Sequence, residues 1–323
     1  MRTSTIKPSI KNPDFFVVGA ARAGTTTICR VLEAHPQIYM SPIKEPHYFA
    51  MYDISMSNIR KKVKHSLAQF NLDKYLHSEM ATPVHRYYIS DWDQYLMLFR
   101  NATAKQFAGE ASPSYLWAPH AAERIKEKLP NAKIIINLRN PVDRAYSHYW
   151  LERKMNMTTK KFRDALEEDS KYPVLQWGAT PMYIELGMYY DQVRNYLDLF
   201  NRQNVFISLF EDLKNDLAAF TNRLYVFLDV DPGFSPETKI HQNKSVLPRH
   251  PWLSHFVENI YLKNLASVIL NDSIKERFKK LVFSQNSIPK IAEDDRLYLL
   301  NLFREDIHRL QDLIKRDLSE WLK

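Results

Sequence analysis

The chain has 323 residues, 45% of them hydrophobic and 25% charged, a composition of the soluble globular kind. A chain near 300 residues buries roughly 75% of its unfolded surface, so a large core is expected. The net charge of +8 points to an anionic ligand, but the basic residues are spread along the chain, which argues against nucleic acid. The single cysteine, Cys29, excludes an internal disulfide and a cysteine-based metal site.

Residues 1–13 read as an N-terminal extension, and 1–12 lack the apolar stretch of a signal peptide. No run approaches the roughly 20 apolar residues that a membrane helix needs. No membrane association and a cytoplasmic location are therefore expected.

Phe15-Phe16-Val17-Val18 predicts a strand over 15–19, and Gly19-Ala20-Ala21-Arg22-Ala23-Gly24-Thr25-Thr26-Thr27 follows it. A strand, a tight loop and a helix start form a phosphate-binding loop, because backbone N–H groups and the helix N-terminus converge on one anion. The spacing matches G-x-x-x-x-G-K-[ST] except at Thr25, which replaces the lysine that reaches β- and γ-phosphates. The loop predicts a nucleotide without a third phosphate. The next charged run, Arg60-Lys61-Lys62-Val63-Lys64-His65, reads as a solvated helix face.

Residues 120–129 have helical spacing up to Pro130, and Lys133-Ile134-Ile135-Ile136-Asn137-Leu138 predicts a second strand. After it, Asn140 is a good N-cap, Pro141 suits the first helical position, and Asp143 suits the positive helix end. Arg139 stands at the strand tip, where it meets an anion bidentately or caps a neighbouring helix. Ser147, two turns along, offers a hydroxyl to the same anion or is a small packing residue. Helical spacing over 185–201, a strand over 204–209, a helix over 216–228 and a helical last thirty residues complete the chain. This alternation predicts an α/β fold with a central, mainly parallel sheet flanked by helices. It is read as one domain over 1–323, with a helical C-terminal part at 255–323. Ligands in such sheets bind beyond the carboxyl ends of the strands, where both the loop and Arg139 fall.

The segments FFVVGAARAGTTTICRVLEAHPQIYMSPIKEPHYF and KIIINLRNPVDRAYSHYW together resemble the sulfotransferases that use 3′-phosphoadenosine-5′-phosphosulfate (PAPS), in motif style the bacterial and carbohydrate-type enzymes. Gly109-Glu110-Ala111-Ser112-Pro113-Ser114-Tyr115, Phe210-Glu211-Asp212-Leu213 and His241-Gln242-Asn243-Lys244-Ser245 extend the resemblance in the same order, from 15 to about 250. It implies a P-loop-like phosphosulfate-binding loop in which Arg22, Ala23, Gly24, Thr25, Thr26 and Thr27 hold the 5′ end of PAPS. It implies that Arg139 and Ser147 hold the 3′-phosphate, and that Lys244 and Arg249 lie in a segment closing over the nucleotide. It accounts for the missing lysine, since PAPS has no γ-phosphate. No metal is expected.

Sulfuryl transfer needs a base for the acceptor proton, cations for charge on the leaving oxygen, and in-line positioning. By the resemblance Glu45 matches the base position and His47 the residue two further on. Work near neutral pH would require burial to raise the Glu45 pKa. Arg22 stands where many members carry lysine; it keeps the electrostatic role and cannot lend a proton. Ala111 stands where carbohydrate-type members often carry lysine. Glu110 is expected to orient the acceptor, to pair with Arg22, or to form a buried ion pair. Tyr75, Tyr87, Tyr88, Trp92 and Tyr95 read as an acceptor-side wall or as core. The expected acceptor is a small molecule bearing a hydroxyl or amine.

Three other readings compete. A P-loop kinase would need the missing lysine and a Mg²⁺-binding aspartate, where the second strand instead ends in Leu138-Arg139. A metal-dependent glycosyltransferase is prompted only by Asp91-Trp92-Asp93. A non-catalytic nucleotide-binding protein of the same fold is opposed by the presence of both Glu45 and Arg139.

Overall fold

Strand β1 (Phe15–Gly19) lies at the centre of a five-stranded sheet, between β5 (Phe107–Ala111) and β6 (Lys133–Leu138). Beyond them lie β2 (Ile38–Met40) and β7 (Val205–Leu209), giving the order β2-β5-β1-β6-β7 with every pairing parallel. Two further strands, β3 (Ile43–Glu45) and β4 (Val84–Arg86), pair with each other outside this sheet. The structure, a computed structural model, describes residues 10–235 and 288–323 and the short strands Leu247–Pro248 and Phe283–Ser284.

The sheet is apolar on both faces because helices cover both. Phe16, Val18, Ile134 and Ile136 enter one hydrophobic cluster, while Phe15, Val17 and Ile135 enter the other with Phe220 and Leu224. This is the two-residue alternation of a strand, read here with both faces buried. From β1 the chain first builds the β2–β5 side and then crosses to β6 and β7. The carboxyl ends of β1 and β6 therefore flank the switch point of the sheet, the place where such folds form a binding crevice.

The expected strands at 15–19 and 133–138 match in full, and that at 204–209 begins one residue later. The expected helices appear as Ala121–Lys128, Leu217–Leu228 and Glu293–Ile314, the last stopping at the left-handed Lys315 so that Trp321 falls in a separate 3₁₀ turn at Ser319–Leu322. The helix expected over 185–201 is broken into a 3₁₀ turn at Glu185–Gly187 and a helix at Tyr189–Leu199. Gly187 sits at the break, where a Cβ would lie 2.8 Å from the Phe303 ring. Of the expected C-terminal helical part, 255–282 and 285–287 lie outside the described residues, as do Lys244 and Arg249. No helix among the described residues is long and apolar enough to cross a membrane.

Candidate functional site

The loop after β1 turns into the helix Thr25–Glu33 through Gly24, whose φ of +91° is a conformation glycine adopts without strain. A Cβ at Gly24 would also meet the Phe210 ring at 3.2 Å. No side chain caps this helix, so its first N–H groups and its positive end face the adjoining cavity. Asn137 of β6 donates to the Ala23 carbonyl and accepts from Ser208 Oγ of β7 at 2.7 Å. The loop is thus tied to two neighbouring strands through one buried amide.

The predicted helix start after β6 is present as read. Asn140 Oδ1 accepts from Val142 N at 2.9 Å and Asp143 N at 3.4 Å, with Pro141 at the first turn of Pro141–Lys154. Arg139 precedes it, lies 4.7 Å over the Phe210 ring, and donates to the Arg22 carbonyl at 3.1 Å. Arg22 in turn donates to Ser147 Oγ through Nε and Nη2. Arg22, Gly24, Thr25, Thr26, Thr27, Arg139 and Ser147 line one cavity of about 640 Å³, with Lys214 and Lys290. Asp143 on its rim is paired with Arg296 at 2.6 Å. Burial, and then the nearby Arg139, lower the Arg22 pKa; burial also lowers that of Arg139. Two desolvated guanidinium groups sharing one cavity form a site for a dianion.

A second cavity, of about 360 Å³, opens on the other side of the loop, and Arg22, Thr25 and Thr26 line both. Its polar wall holds Lys44, Glu45, His85, Arg86, Arg60 and Glu152; Met155, Met157, Met182 and Trp177 form an apolar wall. Arg60 is held by Glu152 and by the Ala179 carbonyl at 2.9 Å, and Glu152 also accepts from Tyr183 at 3.0 Å. Glu45, the last residue of β3, lies opposite Arg86 of β4. Its Oε1 accepts from Lys44 Nζ at 2.9 Å, with His85 Nε2 at 3.9 Å. His47 Nε2 lies 3.9 Å from the other oxygen.

This environment overturns the expected raised pKa of Glu45. Burial does push the carboxyl up, but Lys44, His85, His47 and Arg86 outweigh it and hold the group at about 2. His47 lines neither cavity. It is fully buried behind Glu45, stacked on Tyr88, with Nδ1 2.7 Å from Ser114 Oγ, and burial lowers its pKa to about 3.

Other expectations also change. Glu110 neither pairs with Arg22 nor reaches the second cavity; it is fully buried among Tyr95, Tyr115 and Ser112. Tyr75, Tyr87, Tyr88, Trp92 and Tyr95 pack in or against the core and form no wall of the cavity, to which that region contributes His85 and Arg86. Asp91 caps the helix Trp92–Met97, accepting from Gln94 N at 2.8 Å, so the D-x-D triplet is a helix start. Sequence reasoning missed Arg60, His85, Arg86, Glu152 and Trp177 as cavity residues. Arg60 was visible only as the head of a basic run, and the others carried no motif.

A family model described as "Sulfotransferase family" matches residues 13–236. The crystal structure of a sulfotransferase from Alicyclobacillus acidocaldarius superposes with a TM-score of 0.72 at 29% identity, covering 97% of this chain and 100% of that one. Among curated proteins, Homo sapiens carbohydrate sulfotransferase 15 is 23% identical, over 68% of this chain and 44% of its own length. The membrane-associated sulfotransferase kil1 of Dictyostelium discoideum is 31% identical, over 44% of this chain and 24% of its own. The chain spans less than half the length of these two curated relatives.

Proposed function

This chain belongs to the sulfotransferase family, and we propose that it moves the sulfuryl group of PAPS to a hydroxyl or amine of a small-molecule acceptor. The observation that carries the reading is the shared wall: Arg22, Thr25 and Thr26 line both the dianion-suited cavity and the cavity holding Glu45. A group held by the loop faces both chambers at once.

The residues of the first cavity fit the donor, because Arg22, Arg139, Lys214 and Lys290 line it together with the uncapped helix start at Thr25, a set of donors for anionic groups. Arg22, Ala23, Gly24, Thr25, Thr26 and Thr27 would hold the 5′ end, and Arg139 and Ser147 the 3′-phosphate. Lys244 and Arg249 are assigned to the segment closing over the nucleotide. PAPS, when bound, supplies an activated sulfuryl group. Arg22, charged at neutral pH, stabilises the charge that develops on the leaving phosphate.

Glu45 takes the acceptor proton. Its Oε1 is the oxygen beside Lys44 and His85, both of which line the cavity, whereas Oε2 faces the buried His47. A carboxylate held ionised is in the correct form throughout the neutral range. Its weakness as a base is offset because the acceptor proton becomes strongly acidic as its oxygen bonds to sulfur. The size of the second cavity suits a compact acceptor, whose body would rest on Trp177 and the three methionines. A sugar is the second reading, favoured by Trp177 as a stacking platform.

A thermal-shift titration with 3′,5′-adenosine bisphosphate, 5′-AMP and ATP–Mg²⁺ tests the donor. Preference for the bisphosphate supports the reading, whereas preference for ATP–Mg²⁺ restores the kinase. Radiolabelled transfer from PAPS to panels of phenols, alcohols, amines and monosaccharides then separates the acceptor classes.

A further inference from the structure

Behind the second cavity lies a buried carboxyl that the proposed reaction leaves unused. Glu110, on β5, lines neither cavity and receives three hydroxyl hydrogens: from Ser112 at 2.9 Å, Tyr115 at 2.5 Å and Tyr95 at 3.3 Å. Two of these hydroxyls also accept from the backbone. His47 N donates to Ser112 Oγ at 3.2 Å, and Phe49 N donates to the Tyr115 hydroxyl at 3.3 Å. A hydroxyl has one hydrogen. Because Ser112 and Tyr115 spend theirs on Glu110, their lone pairs are turned toward the two amides.

The anchored amides lie two and four residues beyond Glu45, in the segment leaving β3. His47 is held there at φ +57°, a left-handed conformation that a non-glycine residue keeps only where its surroundings impose it. The His47 ring is fixed separately on Ser114.

We infer that Glu110 is a positioning residue: its carboxylate orients Ser112 and Tyr115 so that they clamp the backbone at His47 and Phe49, and thereby place the Glu45 carboxyl in the acceptor cavity. The inference rests on the proposed role of Glu45. Three donors converging on one carboxyl favour its ionised form, because each hydroxyl hydrogen is bound more strongly by a charged acceptor than by a neutral one. Burial opposes ionisation and raises the Glu110 pKa to about 8 against the three hydroxyl bonds, with Glu45 adding to the rise. Among the described residues Tyr95, Tyr115, Tyr196 and Cys29 also feel this carboxylate. The clamp therefore tightens as pH rises through that range.

The test pairs amide hydrogen exchange with turnover in wild type, Glu110→Gln, Ser112→Ala and Tyr115→Phe. Glutamine presents an NH₂ group where Ser112 points its hydrogen, so one donor is turned away. Exchange is expected to rise about tenfold or more at His47 in Glu110→Gln and Ser112→Ala, and at Phe49 in Tyr115→Phe. The kcat should fall about 10- to 100-fold, the loss that a small misplacement of a reacting group brings, with bisphosphate affinity within about twofold of wild type. The wild-type rise of kcat with pH should lose its inflection in Glu110→Gln, and adding Ser112→Ala to that variant should cost little more. Unchanged exchange at His47 in both Glu110→Gln and Ser112→Ala would overturn the inference. So would undiminished kcat despite faster exchange. Faster exchange in a chain whose wild type transfers nothing from PAPS would uphold the clamp and remove the sulfotransferase reading. If Glu110→Gln does not fold, Ser112→Ala and Tyr115→Phe carry the same readouts.

Discussion

Arg22 donates to Ser147 Oγ twice, through Nε at 3.2 Å and Nη2 at 3.1 Å, across 125 positions of sequence. The contact joins the loop after β1 to the helix after β6. It also sets the polarity of the serine: with two N–H groups directed at its oxygen, the hydroxyl hydrogen points elsewhere and is available to an anion.

Ser147→Ala removes that donor and frees the Arg22 fork. Binding of 3′,5′-adenosine bisphosphate should weaken by about 1.5–3 kcal/mol, the range for a hydrogen bond to a charged group. Calorimetry with the bisphosphate and with 5′-AMP measures it, and an equal loss for both ligands would place the serine away from the 3′-phosphate.

Arg139→Ala should discriminate more strongly. Loss of the guanidinium is expected to reduce bisphosphate affinity at least tenfold beyond any loss for 5′-AMP, because a charge-assisted contact is removed from one phosphate alone. Competition binding against both nucleotides checks the difference.

Glu45→Gln keeps the size of the side chain and removes the proton acceptor. Nucleotide affinity should stay within about twofold while kcat falls by roughly 10²–10⁴, the usual share of a positioned base. Single-turnover transfer from PAPS measures this, and unchanged turnover would remove Glu45 as base.

The two buried carboxyls Glu45 and Glu110 act on stability in opposite senses. Glu45 is depressed to about 2, so its stabilisation is present above the ordinary glutamate range and is lost as pH falls through about 2. Glu110 is raised to about 8, so the folded state binds its proton more tightly and loses stability as pH rises from about 4.5 to 8. Urea unfolding between pH 3 and pH 8.5 should show Glu45→Gln flattening the acid limb and Glu110→Gln flattening the neutral limb.

Gly24→Ala places a Cβ in a left-handed conformation and against the Phe210 ring. A loss of about 1–3 kcal/mol is expected, with weaker nucleotide binding, since the strain falls on the turn that directs the loop. Thermal denaturation with and without bisphosphate separates the two effects.

Much of the first cavity was legible because it is local. The loop, the Asn140 cap and the position of Arg139 follow from consecutive residues whose backbone preferences are strong. The pairing of Arg22 with Ser147 was not legible, because it depends on β1 and β6 being neighbours. The short strands β2, β3 and β4 carry only three residues each, too few for periodicity to register, and β5 has Gly109 and Glu110 where a strand pattern would place apolar residues. The electrostatics of Glu45 escaped for a different reason. Burial was foreseeable, but the combined field of Lys44, His85, His47 and Arg86 requires β3 and β4 to be paired, and they lie about forty positions apart.

The walls of the second cavity come largely from outside the five-stranded sheet: from β3 and β4, from Arg60 and Val63, and from residues 148 to 186. The first cavity, proposed to hold the donor, is lined mainly by the segments that leave β1, β6 and β7, with residues 288–296 beside them. Under the proposed function the protein is divisible in a practical sense, into a chassis that fixes the reagent and an interchangeable face that chooses what receives it. Grafts confined to that face, sparing Arg22, Thr25 and Thr26, offer a route to new acceptors on an unchanged donor frame.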